Sequence, residues 1–146
     1  INYALKNSKF LIDAKYIMKL NGRYKLINLN KLIDNLPLQD SKSIICGEFR
    51  IYNKWFDSRC FLAEKLFFKD LIKYKANDFN ECYFEKVLAK NVNYYLSKNE
   101  AEWRMFPIKP KFIGTAGDKG HGLRKNKLRA IIVDFFYWLK NKLVSL

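Results

Sequence analysis

Cysteine, proline, glycine, histidine and acidic side chains are all scarce in this chain of 146 residues. The three cysteines, Cys46, Cys60 and Cys82, are odd in number and widely spaced, with no Cys-x-x-Cys pair and His121 as the single histidine. That pattern argues against structural zinc and against a disulfide framework, and no cofactor is expected. No apolar run approaches the roughly 20 residues that span a bilayer. The longest, AIIVDFFYWL from Ala130 to Leu139, is shorter and contains Asp134, so it reads as a buried helix and no membrane partner is expected. The first residues show neither a signal peptide nor an Arg- and Ser-rich transit segment. Ile1 in place of Met, with heavy use of Lys, Asn, Ile, Tyr and Phe, points to an AT-rich organellar gene with an unusual start codon or to a processed fragment.

The shortage of acid decides the choice of partner. Lys and Arg number 28 against 14 acids, for a net charge of +14, and such a field repels other copies while attracting a polyanion. Nucleic acid is the leading partner. Hydrophobic residues make up 49% of the chain and aromatics 16%, enough for the core of one domain with an attached extension.

In YIMKLNGRYKLIN, Tyr16 to Asn28, Asn21-Gly22 stands between two short alternating runs and suits a tight hairpin turn. Leu29, Leu32, Ile33 and Leu36 follow at helical spacing before Pro37, so residues 1–43 read as an N-terminal extension of a short hairpin and a helix. From Arg59 to Lys75 the spacing predicts a helix with Ala63, Leu66, Phe67, Leu71 and Tyr74 inward; Lys65, Lys69 and Lys73 form a stripe that reads as solvated surface. Asp78 or Asn80 caps a second predicted helix with Phe84, Val87, Leu88, Val92 and Tyr95 on its apolar face and its aromatics in the core. Pro107 and Pro110 forbid a helix interior, so an extended arm is predicted over about 97–123. A third helix is predicted from about Arg124, with Leu128, Ile131, Ile132, Phe135, Leu139 and Leu143 inward.

The stretch GTAGDKGHGLRKNK, Gly114 to Lys127, fails as a nucleotide-binding loop, because Gly117-Asp118-Lys119-Gly120 has no hydroxyl after the lysine and puts an acid inside the anion nest. His121 lacks an identifiable orienting carboxylate and nucleophile, so no catalytic residue is assigned. Charge does gather here: Lys109, Lys111, Lys119, Arg124, Lys125, Lys127 and Arg129 face Asp118 alone. Such residues neutralise phosphates, and the glycines let a sugar-phosphate backbone approach.

The segments IYNKWFDSRCFLAEKLFFKDL (Ile51 to Leu71), FEKVLAKNV (Phe84 to Val92), WRMFPIKP (Trp103 to Pro110) and RKNKLRAIIVDFFYWLKNK (Arg124 to Lys142) resemble, in order and spacing, parts of small-subunit ribosomal protein seven. AEKLFFKDL, Ala63 to Leu71, is the strongest element. The chain departs from the family in lacking a Val-Gly-Gly arm tip, in a longer Lys111 to Gly122 connection, and in ending after the third matched helix.

The resemblance implies a mainly α helical bundle with a protruding β-hairpin arm over residues 44–146. It also implies a non-catalytic structural constituent of a small ribosomal subunit, in the mitochondrial matrix or, alternatively, in another organelle or the cytoplasm. The partners it implies are small-subunit ribosomal RNA of the 3′ major domain, near the messenger exit path, and neighbouring proteins of the head. Lys54, Arg59 and Arg104 join Lys109, Lys111, Lys119, Arg124, Lys125, Lys127 and Arg129 as expected rRNA contacts, which position more than they read sequence. A second polypeptide is expected to cover Ile131, Ile132, Phe135, Phe136 and Trp138 and complete the bundle. The rival readings are a metal-dependent nuclease using Asp118 and His121, and a basic structural subunit of another organellar complex.

Overall fold

The computed structural model describes residues 2–36, 38, 42–50, 54–73, 83–114, 135–137 and 139. The chain divides into two compact units, one of Ile1–Leu20 with Gln39–Arg104 and one of Asn21–Leu38 with Met105–Leu146.

The first unit is built on a four-stranded mixed sheet. Its strands are β1 (Tyr16–Leu20), β3 (Ser43–Cys46), β6 (Cys60–Glu64) and β7 (Ala101–Arg104), in the order β1-β6-β3-β7. β6 runs antiparallel to β1, from Tyr16 opposite Glu64 to Leu20 opposite Cys60, and antiparallel to β3. β7 lies parallel to β3, with Ser43 opposite Ala101 and Cys46 opposite Arg104. A parallel pair requires a crossover usually made by a helix, and the long connection from β3 to β7 carries two, α4 (Lys65–Leu71) and α5 (Phe84–Ser97). A two-stranded ribbon of β4 (Phe49–Arg50) and β5 (Trp55–Phe56) lies within the same connection. Two short N-terminal helices, α1 (Asn2–Asn7) and α2 (Lys9–Ile12), precede β1.

The core of this unit is aromatic. Phe49 meets Phe56 edge-on at 4.9 Å and Trp103 at 5.2 Å, Phe61 stacks on Phe68 at 5.3 Å, and Phe67 meets Tyr95 at 5.3 Å. Edge-to-face and offset contacts of this kind add to the burial of the rings. Val87, Leu88 and Val92 bring α5 onto the same cluster.

In the second unit, β2 (Tyr24–Leu26) pairs antiparallel with β8 (Phe112–Gly114), and α3 (Leu29–Asp34) buries Leu32. Gly114 has φ +151°, and a Cβ there would come within 2.7 Å of the Arg23 carbonyl, so glycine alone closes β8 against β2. Phe135–Tyr137 is helical; the Tyr137 ring is buried and its hydroxyl donates to the Phe106 carbonyl at 2.9 Å.

Several expectations are corrected. The protein is not a mainly α helical bundle, because a four-stranded sheet organises its first unit. The predicted helix from Arg59 is a strand through Glu64 and a helix only from Lys65 to Leu71. Cys60, Phe61, Leu62 and Ala63 are all buried. A central strand covered on both faces reads as a continuous apolar run, which periodicity cannot tell from a buried helix. Ala63, Phe67 and Leu71 are buried as expected, but Leu66, expected inward, is 62% exposed, and Phe68 fills the core in its place. Tyr74 lies outside the described residues.

Asn21 does make a turn, its Oδ1 accepting from the Arg23 amide at 3.2 Å, but β1 and β2 do not pair with each other and no hairpin forms. β1, from the segment expected as an extension, is an edge strand of the main sheet. The expected arm is not a protruding hairpin: Ala101–Arg104 lies in that sheet and Phe112–Gly114 pairs with β2. Of the third helix, Phe135 and Leu139, expected inward, are exposed with Phe136, while Tyr137 is the buried residue. Leu128, Ile131, Ile132, Trp138 and Leu143 lie outside the described residues.

Candidate nucleic-acid interface

Helix α5 has two unlike faces. Val87, Leu88, Ala89, Asn91, Val92 and Tyr95 are buried. Tyr83, Lys86, Lys90, Asn93, Tyr94, Ser97 and Lys98 are exposed. Steps of three and four residues align these side chains in one stripe, and a helix of 14 residues makes it about 21 Å long. The apolar positions are the cause: once Val87, Leu88, Val92 and Tyr95 dock on the core, the remaining positions must face water.

The ends of the stripe are well defined. At the start, Tyr83 occupies the N-cap position and its ring lies 5.4 Å from that of Trp55, at 46°. The Lys86 ammonium lies 5.8 Å from the Tyr83 ring centre. At the other end Asn99 adopts φ 56°, its amide donates to the Leu96 carbonyl at 3.0 Å, and the Glu100 amide donates to the Tyr95 carbonyl at 3.0 Å. This is the Schellman termination, with asparagine supplying the left-handed residue. Lys98, one residue earlier, has its ammonium 5.9 Å from the Tyr94 ring.

The one acid of α5 is turned away. Ser58 Oγ donates to Glu85 Oε1 at 2.6 Å, and Glu85 is half-buried. Among the described residues no carboxylate lies within ion-pair distance of Lys86, Lys90 or Lys98. Elsewhere in the unit six cations are paired, Lys15 with Glu64, Lys42 and Arg104 with Glu102, Arg50 and Arg59 with Asp57, and Lys73 with Asp70, whereas Lys54 and Lys69, like the α5 lysines, have no carboxylate partner among the described residues.

The residues nominated from sequence are distributed differently. Lys54, just before β5, is exposed. Arg59 is committed inward: its Nε is 3.0 Å and its Nη2 2.6 Å from the Asp57 carboxylate, which Arg50 also reaches at 2.6 Å. Burial pushes the Asp57 carboxyl up, but the Arg59 hydrogen bonds and the charges of Arg50 and Arg59 outweigh it and hold the group below its usual range. Lys19 donates to the Ser58 carbonyl at 2.5 Å. Burial lowers its pKa despite the nearby Glu85 and Asp57. Arg104 is paired with Glu102 at 3.1 Å, and that hydrogen bond lowers the Glu102 pKa.

Lys109 and Lys111 belong to the second unit, where Asn28 bridges them, its Nδ2 donating to the Lys109 carbonyl at 3.0 Å and its Oδ1 accepting from the Lys111 amide at 2.8 Å. A groove of about 730 Å³ there is lined by Leu26, Ile27, Leu29 and Ile108, with Lys31 and Lys111 beside it. Among the described residues its lining holds no carboxylate, thiol or hydroxyl. Lys119, Arg124, Lys125, Lys127 and Arg129, with Asp118 and His121 of the nuclease reading, lie outside the described residues.

Burial pushes the Cys46 and Cys60 thiols up to about 12, so neither is a nucleophile near neutral pH. Among the described residues no group of three or more His, Cys, Asp or Glu could hold a metal ion, and no helix is long and apolar enough to cross a membrane.

Sequence reasoning missed Trp55, Tyr83, Lys86, Lys90, Tyr94 and Lys98. The signal was present as lysines and tyrosines at helical spacing, but aromatics of this helix were assigned to the core, which is right for Tyr95 and wrong for Tyr94. Comparison with protein-family models, with curated proteins and with solved structures gives no match.

Proposed function

We propose that this chain is a non-catalytic RNA-binding protein that lays a sugar-phosphate backbone along the outer face of α5. The observation that carries the proposal is the alignment of Lys86, Lys90 and Lys98, which have no carboxylate partner among the described residues, with the exposed Tyr83 and Tyr94 along one face of a 14-residue helix. A cation already matched by a buried or nearby acid adds little to a phosphate site, whereas an unmatched one releases a counterion on binding. The net charge of +14 supplies the long-range attraction.

Among the described residues, binding is favoured over catalysis because the candidate nucleophiles Cys46, Cys60 and Ser58 are buried or engaged. The two described thiols are buried, and Ser58 spends its hydroxyl proton on Glu85. The resemblance to small-subunit ribosomal protein seven makes ribosomal RNA, in a mitochondrion or other organelle, the first target to test. Its support is in the motifs, since the helical bundle it implied is replaced by a mixed sheet.

The test is salt-dependent binding of a short RNA by the wild type and by a Lys86→Ala, Lys90→Ala, Lys98→Ala triple variant. The triple variant is expected to bind more weakly, with the slope of log affinity against log salt reduced by about 2 for a single strand. A control triple at the paired Lys15, Lys42 and Lys73 should change the slope less. Equal slopes for both triples would overturn the proposal. Sedimentation with the small ribosomal subunit tests the ribosomal target separately: RNA binding without co-sedimentation removes that target and leaves the RNA-binding reading.

A further inference from the structure

We propose that the Trp55–Tyr83 pair is a stacking platform for unpaired bases, which makes single-stranded RNA the ligand of the α5 face. This rests on the RNA-binding reading above and names its substrate class.

Trp55 is half-buried and Tyr83 exposed, for reasons that lie in the backbone. β5 alternates, so Phe56, wholly buried in the aromatic core, obliges Trp55 to take the other side. Tyr83 precedes the first turn of α5, where Phe84 packs against the core, and Tyr83 is left 68% exposed. The two rings meet at 46° with centroids 5.4 Å apart, so they are tilted and the indole does not lie flat on the tyrosine ring.

An exposed aromatic ring beside unmatched lysines fits a nucleobase with its phosphates. The Lys86 ammonium is 5.8 Å from the Tyr83 ring centre, and the same arrangement recurs at Tyr94, with Lys98 at 5.9 Å. The two tyrosines lie eleven residues apart, about 16 Å along the helix, with Lys90 between them. Phosphates would run over Lys86, Lys90 and Lys98 while bases reach the rings at either end. Base faces in a duplex are already stacked and cannot reach a ring, whereas every unpaired base presents one. The platform therefore selects strandedness, not sequence.

The experiment compares a labelled single-stranded RNA, an abasic strand of the same length and charge, and the corresponding duplex, by fluorescence anisotropy. The wild type is expected to bind the base-bearing strand roughly 5- to 140-fold more tightly than the abasic one, the range for one stacked base. Tyr83→Ala should close most of that gap by weakening the base-bearing strand far more than the abasic one, and Tyr83→Phe, which keeps the ring, should retain it. Tyr83 is exposed, so these variants should keep the wild-type unfolding temperature. Equal affinity for the base-bearing and abasic strands, or a gap that Tyr83→Ala does not touch, overturns the platform. If affinity still depends on Lys86, Lys90 and Lys98, the backbone reading survives that result; if it does not, both fall.

Discussion

Ser58 Oγ reaches Glu85 Oε1 across 2.6 Å and holds the one acid of α5 off the lysine face. A free glutamate beside Lys86 would compete with phosphate at short range, and the screening length of about 10 Å at 0.1 M salt is too long to hide it. Glu85→Gln keeps an acceptor for Ser58 and removes the charge, so RNA affinity should rise several-fold at low salt, with the gain shrinking as salt increases. Ser58→Ala should weaken binding and cost about 1–2 kcal/mol of stability, the worth of a charge-assisted bond at a half-buried site. Titrations with RNA at two salt concentrations, with urea unfolding of each variant, check both outcomes.

Asp57 should govern part of the acid stability. Its folded pKa is depressed by Arg50 and Arg59, so its contribution is complete above the unfolded value of about 3.9 and is lost as pH falls through the folded value. Asp57→Asn should destabilise the protein by about 1–3 kcal/mol at pH 7, reduced from the buried-pair range because both arginines are partly exposed. The gap between wild type and variant should narrow below about pH 4. Unfolding curves from pH 7 to pH 2 that stay parallel would remove Asp57 from this role.

Gly47 marks a contact that tolerates no side chain. A Cβ built there would lie 2.3 Å from the Phe56 ring, while the Gly47 carbonyl accepts from Trp103 Nε1 at 2.9 Å and its amide donates to the Arg104 carbonyl at 3.1 Å. Those bonds hold the glycine backbone in place, so Phe56 must move. Gly47→Ala should cost about 1–3 kcal/mol, the usual range for overpacking. A thermal midpoint equal to that of the wild type would show that the Phe56 ring finds another seat.

Leu66 and Phe68 should respond in opposite ways to truncation. Phe68→Ala removes a ring stacked on Phe61 and should cost about 3–5 kcal/mol. Leu66→Ala removes an exposed side chain from a short helix and should stay within about 0.5 kcal/mol. Denaturant unfolding of the two variants separates a strand-then-helix arrangement from a helix that begins at Arg59, in which Leu66 would be the costly loss.

The sequence by itself determined what depends on neighbours in the chain and on totals. The excess of Lys and Arg is legible as attraction to a polyanion without any structure. α5 was legible as well, because Val87, Leu88, Val92 and Tyr95 recur at helical spacing and are the residues that pack. The turn at Asn21-Gly22 was legible, since the Asn21 side chain caps its own turn locally. Tertiary structure alone decided the rest. Whether Cys60 to Ala63 is strand or helix depends on β1 and β3 lying on either side of it to take its hydrogen bonds, and those partners lie far away in sequence. The turn could not say that β1 and β2 would leave for different sheets. Nor could composition separate matched from unmatched cations: Asp57 engages Arg59, whereas Lys90 has no carboxylate partner among the described residues. Charge is a property of residues, but its availability is a property of what the fold sets beside them.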